Sequence, residues 1–323
     1  MAFRLKLGEP IEQGFRRIAV EQIERAQSQI RAKKDPAAEV HEARKCMKRI
    51  RALLRLGREG LGDDVFRAEN ARFRLIGLAL APARDDHVMI ETIVKLMTSE
   101  EVGHATHALA RLKAAILVQR AQNAISIGTG LAETDTELER ALRRVRRWQI
   151  TPDCFSTLER GLVRNYRRGL ARRQRAYQEN TDEAFHDWRK SVQALWRHMS
   201  LVSKAWPAHF DAHVALAREL SQILGDDHDL AILREKMRAL PPSALSLEDR
   251  QEIESLLETR QQALRLATKP RGDMLFSERP KAHGRRIATV WKAAVERDPT
   301  DDLAEEPEVQ KRPRAKTAAP ARG

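Results

Sequence analysis

Two short segments of the sequence carry the same chemical plan. Val40-His41-Glu42-Ala43-Arg44-Lys45 is matched 145 positions later by Phe185-His186-Asp187-Trp188-Arg189-Lys190. In each, a histidine is followed by Arg at +3 and Lys at +4, which puts all three on one side of a helix. Continued at 100° per residue, His41, Arg44, Lys45, Lys48, Arg51 and Arg55 share one stripe, while Ala43, Cys46, Met47, Ile50, Leu53 and Leu54 take the opposite face. The second copy is weaker: His186, Arg189, Lys190, Arg197 and Lys204 share a stripe, but Gln193 stands where the first copy has Lys48, and Trp196 where it has Arg51. Like charges at i,i+4 destabilise an isolated helix by about 0.2–0.5 kcal/mol per pair, a local cost that a bound anion relieves. Arginine offers a planar donor fork to neighbouring oxygens and lysine a point charge, so such ridges suit a phosphate polymer. The histidines could donate to phosphate oxygens and gain charge beside the polyanion, which predicts tighter binding at mildly acid pH.

Further cations accompany the ridges. Arg140, Arg143, Arg144 and Arg147 line one face, and Arg160, Arg164, Arg167, Arg168 and Arg175 another; Arg164 and Arg168 join the candidate site. Residues 137–204 hold 16 Lys+Arg against 8 Asp+Glu, so +8 of the chain's +13 sits in that stretch. A single basic helix face is most often merely solvated. The recurrence of a histidine-led ridge is what points to a ligand.

A second pair of landmarks, Asp85-Asp86-His87 and Asp226-Asp227-His228, recurs at a spacing of 141. With the His186-Asp187 and His228-Asp229 dipeptides it raises an alternative, a metal-dependent phosphohydrolase, because carboxylate and imidazole suit divalent metals. The simpler reading is that Gly225 ends a helix and Asp226 or Asp227 caps the next or pairs inward with a stripe arginine, with Asp85 or Asp86 doing the same ahead of Val88. His104 and His107 read as surface or core residues. The sequence has no glycine-rich phosphate loop, nucleophile elbow or HExxH. No metal or cofactor is expected.

The elements that must present these rows are helices. Only 15 glycines occur in 323 residues, and Ala, Leu, Arg, Glu and Gln dominate. Apolar residues recur at three-and-four spacing, which predicts about a dozen helices and no strand, an all-α fold. Stops are expected at Asp35-Pro36, Gly60 to Asp64, Ala81-Pro82, Gly128 to Thr136, Thr151-Pro152, Trp206-Pro207, Gly225, Pro241-Pro242 and Lys269 to Asp273. The ordered landmarks imply a helical unit duplicated and fused, divided near 135/136. Beyond Trp291, residues 296–323 alternate prolines with blocks of opposite charge and read as a disordered tail.

Several classes are disfavoured. No apolar run approaches the roughly 18 residues of a membrane helix, and Met1 to Pro10 shows no signal core. Two lone cysteines, Cys46 and Cys154, fit a reducing cytoplasm. Nucleic acid is the other polyanion to weigh, but aromatics are only 5%, few for a protein that stacks bases.

The paired His-x-x-Arg-Lys ridges, with Trp206-Pro207 and Leu224-Gly225-Asp226-Asp227-His228-Asp229-Leu230, resemble the CHAD family, the conserved-histidine α-helical domain. The resemblance spans residues 3–295. It implies two four-helix-bundle-like halves, about 3–135 and 136–295, related by pseudo-twofold symmetry around a basic channel or groove. It further implies non-catalytic binding of inorganic polyphosphate, often at cytoplasmic polyphosphate granules. Some relatives carry an added triphosphate tunnel (CYTH) domain, which this chain is expected to lack. The binding residues carried over are His41, Arg44, Lys45, Lys48 and Arg51, and again His186, Arg189 and Lys190. Gln193 and Trp196 depart from the pattern and put the second half's contribution in doubt.

Overall fold

A computed structural model describes residues 3–32, 36–80, 82–98, 103, 105–123 and 130–297. Among them are twelve α-helices and no strand. The first group is α1 (Ile11–Ala32), α2 (Pro36–Leu56), the single turn α3 (Arg58–Leu61), α4 (Asp63–Ala79), α5 (Pro82–Met97), α6 (Thr106–Asn123) and α7 (Gly130–Val145). The second is α8 (Phe155–Glu179), α9 (Asp182–Val202), α10 (Pro207–Ala239), α11 (Leu247–Leu275) and α12 (Pro280–Arg297). The tail from 298 onward and His104 lie outside the described residues.

The starts follow local chemistry. The Thr181 side chain accepts a hydrogen bond from Ala184 N at 3.3 Å to begin α9. Ser246 and Asp249 form a reciprocal capping box ahead of α11. Pro207 opens α10 in its first turn, where no helix-internal N–H is needed.

Two expected stops are absent. The 33-residue α10 runs straight through Gly225, and the 29-residue α11 through Lys269, Pro270 and Gly272. Tertiary packing overrides the local propensity. A Cβ on Gly272 would lie 2.9 Å from the Trp188 ring, so the missing side chain admits the largest buried residue of α9. The backbone of 85–87 likewise lies inside α5, so Asp85 and Asp86 do not precede their helix as caps.

Apolar faces meet in two cores. The larger joins α1, α2, α4, α7, α8, α9, α12 and the N-terminal part of α10, through Phe15, Ile50, Phe73, Tyr166, Trp188 and Phe210 among others. The smaller joins α5, α6, the C-terminal part of α10 and the first half of α11, through Ile93, Leu109, Ile116, Leu233 and Leu257. The long helices α10 and α11 therefore tie the cores together. The 135/136 divide falls inside α7, whose Leu138, Ala141 and Val145 belong to the larger core, beside α1 and α4. Where α8 meets the end of α2, a Cβ on Gly161 would stand 1.9 Å from the Leu56 carbonyl oxygen. Only glycine permits that approach.

Candidate functional site

The apolar side of α2 (Ala43, Cys46, Met47, Ile50, Leu53 and Leu54) is buried, which leaves its cationic side to meet the second half of the molecule. There α2 crosses α9, fixed by a hydrogen bond between His198 Nε2 and the Ala52 carbonyl at 3.0 Å. The two edges of the α2 stripe are tied back. Arg44 donates to the Gly77 carbonyl at 3.1 Å and Arg51 to Asn70 at 3.1 Å, both on α4. Lys45 bonds Glu42 at 2.6 Å on the side of α1. The middle of the stripe, Lys48 and Arg55, faces α9 and α8.

Around Lys48 the charges are nearly all of one sign. Burial and then repulsion from Arg189, Arg44 and Arg197 lower its ammonium from 10.5 to about 8, with only Asp229 on α10 pulling the other way. Arg55 is lowered to about 10 by burial and by Arg51, Arg168 and Arg172. Arg197, 6% exposed, is lowered to about 9 by burial and by Arg49, Arg55, Arg218 and Arg189. A guanidinium stays ionised at neutral pH, so these are charges held in a desolvated setting among other cations. Among the described residues Lys48, Arg55, Arg168 and Arg197 form no ion pair. Native proteins pair their desolvated charges. On α2, α8 and α9 this row is left without an ion pair among the described residues.

The structure thus brings Arg44, Lys48, Arg51, Arg55, Arg168, Arg189 and Arg197 together and grades the other candidates. In both repeats the acid after the histidine captures the lysine one turn on: Lys45 with Glu42, and Lys190 with Asp187 at 2.9 Å. Both +4 lysines are thus paired within their own helices, though each remains about half exposed. Arg164 lies at the margin, bonded to Glu59 and to the Arg55 carbonyl. His41 is half-buried on α2. The α7 arginines belong elsewhere, since α7 packs on α1 and α4 and Arg144 bonds Glu69 at 3.0 Å.

For His186, any gain of charge beside a polyanion starts from a half-buried ring held neutral in the free protein. His186 stacks on His228, ring centroids 3.8 Å apart, and its Nδ1 is buried without a hydrogen-bond partner. Burial, then Lys190 and Arg189, lowers His186 to about 4; burial, then His186 and Arg189, lowers His228 to about 3. Both are neutral at mildly acid pH in the free protein.

The Asp-Asp-His segment is also resolved. No break occurs at Gly225, so Asp226 and Asp227 cap nothing. Asp227, 1% exposed, receives Arg265 Nε at 2.9 Å, an inward pairing but with an arginine of α11 rather than of either stripe. Asp226 faces Lys95 at 3.6 Å and accepts from Gln222 at 3.1 Å. Among the described residues no three His, Cys, Asp or Glu side chains are grouped to hold a metal ion, and no helix is long and apolar enough to cross a membrane.

Three arginines escaped the sequence reading. Arg172, reaching the Asp187 carbonyl and Ser191, extends the i,i+4 row Arg164-Arg168 by one step, and that spacing was a usable signal. Arg49 and Arg218 lie off the stripes, and nothing in the sequence singles them out. Trp196, counted as a missing cation, holds two: Arg197 lies 4.2 Å and Arg218 4.8 Å from its ring centroid.

The sequence model of the CHAD domain matches residues 17–238, more than two thirds of the chain. The chain belongs to the CHAD family. The match contains both ridges and the Asp226-Asp227-His228 segment, so the groove between α2, α8 and α9 lies within the CHAD domain. Among solved structures, PptA from Streptomyces chartreusis is similar at a TM-score of 0.55 and 12% identity, over 81% of this chain and 99% of that one. At that identity the likeness concerns the fold. No curated protein matches the sequence.

Proposed function

We propose that this CHAD protein binds inorganic polyphosphate, without turning it over, in the groove where α2, α8 and α9 present their cations. The observation that carries the reading is the desolvated row Lys48, Arg55, Arg168 and Arg197, which has no carboxylate partner among the described residues. A condensed phosphate chain supplies closely spaced negative oxygens and neither bases nor bulk, which is what a narrow all-cation groove can neutralise. Nucleic acid fits less well: Trp148, Trp188 and Trp291 are buried, Trp196 already carries guanidiniums, and the exposed Trp206 is stacked on His209. The binding-only role is supported by the pairing of buried Asp227 with Arg265, which occupies one carboxylate a phosphohydrolase of the second Asp-Asp-His segment would use. The place of action we propose is the surface of cytoplasmic polyphosphate granules.

The test is equilibrium binding of labelled long-chain polyphosphate and of single-stranded DNA of equal charge, at several salt concentrations. Polyphosphate is to bind more tightly, with affinity falling steeply with salt as counterions are exchanged. Lys48→Gln, Arg168→Gln and Arg189→Gln together are to abolish that preference. Equal affinity for DNA, or an unchanged triple variant, refutes the proposal. Release of phosphate with Mg²⁺ or Mn²⁺ would refute its non-catalytic part.

A further inference from the structure

Helices α9 and α10 run antiparallel, and three contacts fix their register. His186 stacks on His228, Arg189 lies against Gly225, and Trp196 holds Arg218 over its ring. Each step of three or seven residues forward along α9 is matched by the same step back along α10. The seam runs from the second motif to a point seven residues, or about 10 Å, beyond Arg189 at 1.5 Å per residue. A Cβ on Gly225 would sit 3.1 Å from Arg189 Nη2, so the glycine lets the guanidinium lie along the seam.

At the far end the seam does not become neutral. Arg197 is buried, its Nη1 donates to the Gln193 carbonyl at 2.7 Å, and its Nε has no hydrogen-bond partner. Arg218 is exposed on α10, and Arg49 of α2, which donates to Gln22 of α1 at 3.2 Å, is close enough to repel Arg197. Among the described residues neither Arg197 nor Arg218 forms an ion pair. A structural arginine cluster looks different in this same protein: Arg265 is clasped by Asp182 and Asp227, and Arg234 by Asp182 and Glu254.

We infer that Arg197 and Arg218, held over Trp196, and Arg49, close to Arg197 on α2, form a second anion platform that takes phosphate groups of a chain as it leaves the paired motif. The inference rests on the polyphosphate reading of the groove and extends it onto α10. The three guanidiniums come from three helices, and the anion is the group that can bridge them. Trp196 is a positioning residue: its π face attracts both Arg197 and Arg218 and holds two like charges side by side. The second repeat thereby gives up the charge that Arg51 supplies in the first and gains a holder for two others. With guanidiniums over the indole, the platform selects phosphoryl oxygens rather than a stacked base.

The experiment compares long-chain polyphosphate, pyrophosphate and single-stranded DNA on the full chain, the Arg49→Gln/Arg218→Gln double variant, Trp196→Phe, Trp196→Leu and Lys48→Gln/Arg189→Gln, with folding followed by circular dichroism. The Arg49/Arg218 double variant is to weaken long-chain binding roughly a hundredfold, about tenfold for each of two charge-assisted hydrogen bonds. Its salt slope is to fall by roughly 1.4, about 0.7 for each lost contact on a single-stranded polyanion. Pyrophosphate, short enough to sit at the motif alone, is to lose less than twofold. Trp196→Phe is to retain long-chain affinity and Trp196→Leu to lose it. The exposed Arg218 keeps the test open should Trp196→Leu fold poorly. Long-chain affinity and slope unchanged in the Arg49/Arg218 double variant, while Lys48→Gln/Arg189→Gln loses both, overturn the platform and leave the groove standing. Binding unchanged in both overturns the groove reading as well. Equal loss for pyrophosphate and long chain, or a Trp196→Leu defect confined to DNA, also overturns the platform.

Discussion

Replacing Lys48 by methionine should make the protein more stable and less able to bind its ligand. Methionine keeps the length and apolar stem of the side chain and removes the charge. An ammonium lowered from 10.5 to about 8 carries, at 1.36 kcal/mol per pKa unit, about 3 kcal/mol of unfavourable free energy when charged. Water reaching the half-buried group reduces that, so Lys48→Met should gain about 1–3 kcal/mol at pH 7. The pH dependence has a definite sign. Between pH 8 and 10.5 the unfolded chain holds a proton at this position that the folded chain has released, so stability rises with pH across that window. Lys48→Met should lack that rise. Urea titrations of both proteins from pH 7 to 10.5, with polyphosphate affinity measured alongside, make the comparison. A variant less stable than its parent at pH 7, together with a parent whose stability is flat from pH 8 to 10.5, would refute the claim that this charge is uncompensated.

Gly225→Ala should be neutral or up to about 1 kcal/mol stabilising, from helix propensity. It should still weaken polyphosphate binding, because the new methyl displaces Arg189; thermal melts and binding isotherms separate the two effects. Gly161→Ala should be strongly destabilising, by about 2 kcal/mol or more, since its Cβ meets the Leu56 backbone rather than a movable side chain, and chemical denaturation reads this directly. Arg265→Ala should cost about 3–5 kcal/mol at pH 7 by stranding the buried Asp227 carboxylate, and Asp227→Asn in the same chain should recover part of it. His186 and His228, lowered to about 4 and 3, are protonated in the unfolded chain first, so stability should fall as pH drops from 6.5 toward 4; His186→Gln/His228→Gln should flatten that limb in an acid titration.

The helical class, most helix ends and the cationic stripe of α2 were legible because they depend on local spacing. The sequence placed Ala43, Cys46, Met47, Ile50, Leu53 and Leu54 on one face, and that face is buried. What it hid depends on partners distant in the chain. Gly225 and Gly272 read as stops, because a glycine that ends a helix and one that admits a neighbour's side chain look alike until Arg189 or Trp188 is in place. Lys45 and Lys190 read as free cations, although the acid one turn before each was visible and its i,i+3 pairing could have been weighed. The spacing around His186 said nothing of its stacking on His228, which covers the ring. Trp196 read as a lost charge, since its value lies in Arg218, which α10 brings from 22 residues away.

The most direct measurement is a crystal structure of the protein with long-chain polyphosphate bound. The account predicts continuous phosphate density in the groove between α2 and α9, with oxygens within hydrogen-bond distance of Lys48 Nζ and the Arg189 guanidinium. An empty groove, with phosphate held instead on the exposed arginines of α7, would contradict it.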